Sequence, residues 1–315
     1  MNLRIGSRGS QLALWQANHI AGRLRAHGHT VEIEIIKTTG DRLQEVTFAQ
    51  VGSKGMFTKE IEDALAEGRV DLAVHSLKDL PTELPSGFAL AATPTRVDPR
   101  DVFVSVKYEN LAALPAGAKV GTSSQRRRAQ LKELRSDLEA VEFRGNVDTR
   151  LRKLSEGQVE AILLAAAGLD RLEKTEWVRE RIDPKDFCPA AGQGSLGIET
   201  RLNDAETIAA LAFLDDRATR YAVTAERAAL AALGGGCQVP IGIHCRPASD
   251  SANSCWEIFG VVSNPETGKT VRAYHSVPST HAEPAALGRT IAEMLLTCGA
   301  GSLLSGVTLG AGGAA

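Results

Sequence analysis

Aromatic residues are scarce, at 4% of 315. That leaves little to stack against bases and argues against a single-stranded nucleic-acid binder. No apolar stretch approaches the roughly 20 residues that span a bilayer, so no membrane partner is expected. The five cysteines (Cys188, Cys237, Cys245, Cys255, Cys298) are odd in number and include no CxxC pair. A disulfide framework and a structural zinc site therefore lack their usual spacing. No GxxxxGK[ST] phosphate loop occurs. The opening Met-Asn-Leu-Arg-Ile reads at once as a strand, so a secretory leader is not expected and a cytoplasmic address is.

What is present is ordinary in bulk and uneven in place. Apolar residues make up 43% and charged residues 23%, values normal for a globular protein. Net charge is −2, but residues 119–153 hold ten basic and five acidic side chains, a local +5. A compact basic region in a mildly acidic chain suits a small, multiply charged anion better than a nucleic-acid backbone.

The first two thirds alternate strand-like and helix-like segments. Strands are expected at 3–6, 31–37, 72–75, 119–121, 141–143 and 161–165, and helices at 10–27, 57–67, 125–135 and 148–156. In the first helix, Leu12, Leu14, Trp15 and Ile20 offer an apolar stripe; in the second, Ile61, Ala64 and Leu65 point inward. Such alternation predicts α/β architecture with mixed, largely parallel sheets. TPTRVDPR at 93–100 and PAAGQG at 189–194 read as two crossings between lobes. The expected division is 1–95 with 195–215, then 100–190, then a smaller α+β domain over 217–305. That last domain has a helix at 218–233, strands at 258–262 and 270–275, and a final helix near 285–296. The glycine-rich end, 306–315, reads as a flexible tail.

Four motifs bear on chemistry. DLAVHSLKDLP (71–81) sets Ser76 as a cap and Lys78 and Asp79 beyond a strand's C-terminal end, where ligands of open α/β sheets bind. A solvated Lys–Asp pair is the plainer alternative. GTSSQRRR (121–128) follows a strand and opens a helix, whose N-terminal N–H groups attract anions. Ser123 and Ser124 add hydroxyls, and Arg126 and Arg127 add guanidinium forks that match carboxylates. RGNVDTRL (144–151) brings Arg144 and Arg150 to a second helix start. Cations oppose the dipole there, so an anionic partner is expected. GGGCQVPIG (234–242) presents Cys237 on a glycine-rich loop; by itself, a lone cysteine is most simply a small buried apolar residue.

These motifs, with SRGS (7–10), GSKGMFTKE (52–60), PAAGQGSLGIE (189–199) and TAERA (224–228), resemble the porphobilinogen deaminase (hydroxymethylbilane synthase) family in order and spacing from Ile5 to about Gly242. The resemblance implies two lobes like type II periplasmic binding proteins plus the third domain, acting as a monomer. It implies head-to-tail condensation of four porphobilinogen molecules with loss of ammonia, then release of hydroxymethylbilane. A dipyrromethane cofactor would be held by a thioether to Cys237. Asp79 would be the catalytic carboxylate, steadying the azafulvene cation that the substrate forms on losing ammonia. Lys78, Ser124, Arg126, Arg127 and Arg150 would bind cofactor carboxylates. Arg8, Arg144, Arg150 and Arg171, with Ser10, Lys54, Phe57 and Gln193, would bind substrate or the growing polypyrrole chain. Gln50, Asp148 and Arg128 depart from residues common in the family.

Two other classes fit less. A non-catalytic anion-binding protein on the same two lobes would need neither Cys237 nor a third domain. A nucleic-acid binder on the 126–153 region would show strong salt dependence and stacking aromatics, and no nucleic-acid partner is expected.

Overall fold

The computed structural model describes residues 1–39, 58–235, 239–248, 255–281 and 283–305. Lys54, Phe57, Cys237, Gln50 and the 306–315 tail lie outside them.

The chain begins β1 (Asn2–Ser7), α1 (Gln11–Ala26), β2 (Thr30–Ile35), α2 (Lys59–Ala66), β3 (Leu72–Ser76) and β4 (Phe88–Ala92). It crosses into β5 (Asp101–Val104), β6 (Lys119–Gly121), α3 (Gln125–Leu134), β7 (Glu139–Val141), α4 (Val147–Ser155), β8 (Ala161–Ala165), α5 (Ala166–Arg171) and β9 (Val178–Arg181). It then returns as β10 (Leu196–Arg201), which inserts between β3 and β4 to give the order β2-β1-β3-β10-β4. The second sheet runs β7-β6-β8-β5-β9. In both, the pairs on one side are parallel and those made by the crossing strands are antiparallel. The sheets are thus evenly mixed, because each lobe takes one strand from each direction of the double crossing.

Five strands escape a reading by alternation: β4, β5, β9, β10 and β11 (Ile241–Pro247). Two carry buried acids that break the apolar pattern, Asp101 opening β5 and Glu199 inside β10. Glu199 is matched across the sheet by His75, whose Nε2 lies 3.0 Å from its carboxylate. The strand expected at 141–143 ends at Val141, and Phe143 leaves the sheet to join the core beside α4.

Helix α1 also differs from expectation. Its core face is Gln16, Ala17, Ile20, Ala21 and Leu24, while Leu12, Leu14 and Trp15 are only half-buried. Trp15 instead stacks on His19 and lies under the Arg171 guanidinium, 6.0 Å away, in the opposite lobe. In α2, Ile61, Ala64 and Leu65 do face inward.

The third domain packs α7 (Arg217–Ala232) and α8 (Pro284–Thr297) on the antiparallel sheet β11-β12-β13, where β12 is Cys255–Ser263 and β13 is Thr270–Pro278. A further short helix, Ala300–Ser305, follows α8. Gly288 lets α8 touch α7: a Cβ there would fall 2.2 Å from the Ala225 carbonyl oxygen. Between α6 (Ala205–Leu211) and α7, Asp215 and Asp216 tie the chain back to Thr93.

The crossings are braced by one acid. Glu226 of α7 is fully buried and takes both Arg96 Nη groups, the Gly192 N–H and the Cys245 N–H. One carboxylate therefore touches both crossings and the third domain. Gly194, at φ +87°, passes so close that a Cβ would lie 2.7 Å from the Val97 oxygen. Its segment, GQGSLG, has GxGxxG spacing but enters a strand rather than a helix, so it is no dinucleotide loop. Among the described residues, no helix is long and apolar enough to cross a membrane.

Candidate active site

The C-terminal ends of β1, β3 and β6 supply the first side chains. After β1, Ser10 caps α1, accepting the Ala13 N–H at 3.4 Å, and Arg8 lies half-buried beside it. After β3 the chain makes one 3-10 turn, Leu77–Asp79, rather than a full helix. Ser76 makes no capping bond; its hydroxyl accepts from Gln16 Nε2 at 2.8 Å, and this anchors the turn to α1. Lys78 is half-buried and Asp79 exposed.

After β6, Ser124 caps α3, accepting the Arg127 N–H. The two arginines that follow do not point into water. Arg126 Nη1 donates to Asp101 Oδ2 at 2.6 Å and to the Cys188 carbonyl at 2.6 Å. Arg127 donates to Asp101 Oδ1 through Nε (2.9 Å) and Nη2 (2.7 Å), and to the Leu163 carbonyl through Nη1. Gln193 joins them: its Nε2 donates to Asp101 Oδ1 at 3.0 Å and to the Pro99 carbonyl. Burial would raise the Asp101 carboxyl, but the two guanidiniums outweigh it and hold it well below the usual range. Asp101 is the residue that sequence reasoning missed. Its only signal was an acid opening a strand otherwise made of Val-Phe-Val.

The remaining cations are balanced differently. Arg150, on α4, makes no hydrogen bond or ion pair among the described residues, and its Nε is buried without a partner. Desolvation, then the nearby Arg127 charge, pull its pKa down to about 10. Lys78 falls to about 8, first through desolvation; Asp79 raises it, and Arg127 and Arg126 lower it. Arg171 is buried, drops to about 10 by desolvation, and among the described residues donates only to the Gly194 carbonyl. Arg144 leans on Glu142 at 2.7 Å.

The structure therefore brings Lys78, Asp79, Arg126 and Arg127 within electrostatic reach across the two lobes, and Arg150 joins them through Arg127. Arg171 adjoins the first lobe through Trp15 and His19. Gln193 sits behind the arginine pair as a support. Of the departures, Asp148 turns to Lys174 at 2.8 Å, and Arg128 reaches Glu142 only at 3.8 Å. Cys188 is inert, its thiol pushed up to about 12 by burial. No cluster of three His, Cys, Asp or Glu suited to a metal occurs among the described residues.

Comparison with known proteins agrees with this layout. Residues 3–209 match the model of the porphobilinogen deaminase dipyrromethane cofactor-binding domain, and 220–297 match its C-terminal domain. The chain belongs to the porphobilinogen deaminase family. Porphobilinogen deaminase of Trichlorobacter lovleyi is 48% identical over 307 residues, 97% of this chain and 96% of its own. That of Chromobacterium violaceum is 48% identical over 305 residues (96% and 97%), and that of Roseiflexus castenholzii 48% over 307 (97% and 99%). Among solved structures, the methionine-binding protein MetQ aligns over 68% of this chain and 89% of its own, at 14% identity and TM-score 0.45. The family's dipyrromethane is a polycarboxylate, and the residues present fit it: an orphaned buried guanidinium nitrogen, two capped helix N-termini and a depressed lysine all call for an anion.

Proposed function

We propose that the chain condenses four porphobilinogen molecules head to tail, with loss of ammonia, and releases hydroxymethylbilane. The supporting observation is Arg150: a half-buried guanidinium with no hydrogen bond or ion pair among the described residues, in the field of Arg127, which in turn feels Asp79 and acts on Lys78. The dipyrromethane, held by Cys237 as a thioether, supplies the nucleophilic pyrrole carbon that primes the chain. Lys78, Arg150, Ser124 and the N–H groups left over on Arg126 and Arg127 take its carboxylates. Arg8, Arg144 and Arg171 take those of the incoming substrate, with Ser10, Lys54 and Phe57 around them.

Asp79 stands exposed at the end of its turn, where a pyrrole nitrogen can approach. Its carboxylate steadies the cation that forms as ammonia leaves and accepts a proton as the new bond closes. Opposite charges about 4 Å apart, at an effective dielectric of about 20, gain roughly 4 kcal/mol, on the order of a thousandfold in rate. The protein acts as a cytoplasmic monomer that needs no metal, nucleic acid or membrane.

Intact mass tests this reading. The purified protein, incubated with porphobilinogen and desalted, should gain mass in pyrrole-sized steps from a two-ring baseline, and Cys237→Ser should gain none. An unmodified mass with no consumption of porphobilinogen would leave an anion-binding protein as the better reading.

A further inference from the structure

A cavity of about 600 Å³ lies where the first crossing, the second lobe and the third domain meet. That is the size of small-molecule sites, and its lining includes none of the candidate active-site residues. Four charged groups on its wall keep bonding capacity. Arg100 commits Nε and Nη2 to Asp98, and Arg246 commits Nε to Glu257. Arg100 Nη1 and both Arg246 Nη groups have no hydrogen-bonding partner among the described residues, and the Arg246 guanidinium lies over the Phe259 ring, 5.2 Å from its centroid. Each guanidinium is the more exposed member of its pair: Arg100 is 40% exposed against 18% for Asp98, and Arg246 32% against 18% for Glu257. Asp183 and Asp216 each spend one oxygen on a backbone N–H, of Lys185 and Thr219, and keep the other. Val97 adds an apolar surface that is 41% exposed.

Guanidinium donors, carboxylate acceptors and an apolar patch lining one cavity define a ligand. We propose that this cavity is an effector site for a small zwitterion with an apolar body. Arg246 and Arg100 take its carboxylate, and Asp183 and Asp216 take its ammonium. Asp183 belongs to the segment after β9, Arg246 to β11, and Arg100 and Val97 to the crossing itself. A molecule bonded to all three restrains the crossing, so its occupancy acts on lobe movement from outside the cleft.

The test is calorimetric titration of the full, cofactor-loaded protein with L-phenylalanine, 3-phenylpropionate and 2-phenylethylamine, which share one body and differ in charge. Phenylalanine should bind, and each single-charge analogue should bind about tenfold or more weakly. Arg246→Ala and Asp183→Asn should each cost a similar factor, while Arg150→Gln in the cleft should leave binding unchanged. In turnover assays phenylalanine should lower kcat and leave KM for porphobilinogen in place. Equal binding of all three probes, no binding of any, loss on Arg150→Gln instead of Arg246→Ala, or a rise in KM would each overturn the proposal.

Discussion

Arg126 and Arg127 are balanced in one way, and the candidate-site cations Arg150, Lys78 and Arg171 in another. The first two end on the buried carboxylate of Asp101, which also receives Gln193. The others are desolvated and their pKa values fall: Asp79 partly offsets this at Lys78 and Asp170 at Arg171, while Arg150 keeps a buried Nε without a partner among the described residues. A buried ion pair contributes little net stability while intact but is costly to break. A buried unpaired cation is costly as it stands, and a protein keeps one where a ligand supplies the missing charge. The arginine pair is thus largely architecture with some donors to spare, and Arg150, whose buried Nε has no partner among the described residues, is the cation we propose waits for a ligand's charge.

That contrast can be sharpened by substitution, beginning with the chemistry both groups surround. Asp79→Asn should reduce turnover by about 10²–10⁴ and leave the cofactor mass in place; single-turnover assay with intact-mass measurement checks both. Asp101→Asn should act on the fold instead. Leaving Arg126 and Arg127 without their carboxylate should cost about 3–5 kcal/mol, seen as a drop in the unfolding midpoint. Arg150→Gln should weaken productive binding of the polypyrrole chain by about 10- to 100-fold, with no loss of stability in the cofactor-free protein.

Lys78 gives the comparison a pH axis. Its folded value, about 8, lies below the ordinary 10.5, so the unfolded chain binds the proton more tightly between those values. Stability from this group alone therefore rises as pH climbs from about 8 toward 10.5. Carboxylate binding runs the other way and weakens as the ammonium is lost. The thermal stability that the loaded cofactor adds should fall above about pH 8, and Lys78→Arg should flatten that limb, because a guanidinium keeps its proton. Arg128→Gln marks the low end: a half-exposed side chain 3.8 Å from Glu142 should change stability by no more than about 0.5 kcal/mol.

The sequence made some of this legible and hid the rest for physical reasons. Helix starts were readable because their caps are local: Ser10, Ser124 and Asn146 each accept an N–H within three residues. The C-terminal ends of β3 and β6 followed from strand and turn patterns. Asp101 was not readable, since what makes it matter is a meeting with residues 25, 26 and 92 positions away. The run of arginines signalled charge strongly but could not say that its first two members are already matched. Trp15 read as core, but the groove beneath α1 is filled by Gln16 and alanines, which leaves the indole to face Arg171.

The most direct test of the central claim, that Arg150 is held unpaired for the cofactor's carboxylates, is the stability change of Arg150→Gln measured twice. One measurement uses the cofactor-loaded protein, the other a Cys237→Ser background that cannot load it. The account predicts a loss of about 1.5–3 kcal/mol in the loaded form and none, or a small gain, in the unloaded form. An equal change in both would contradict it and make Arg150 a structural residue like its neighbours on α3.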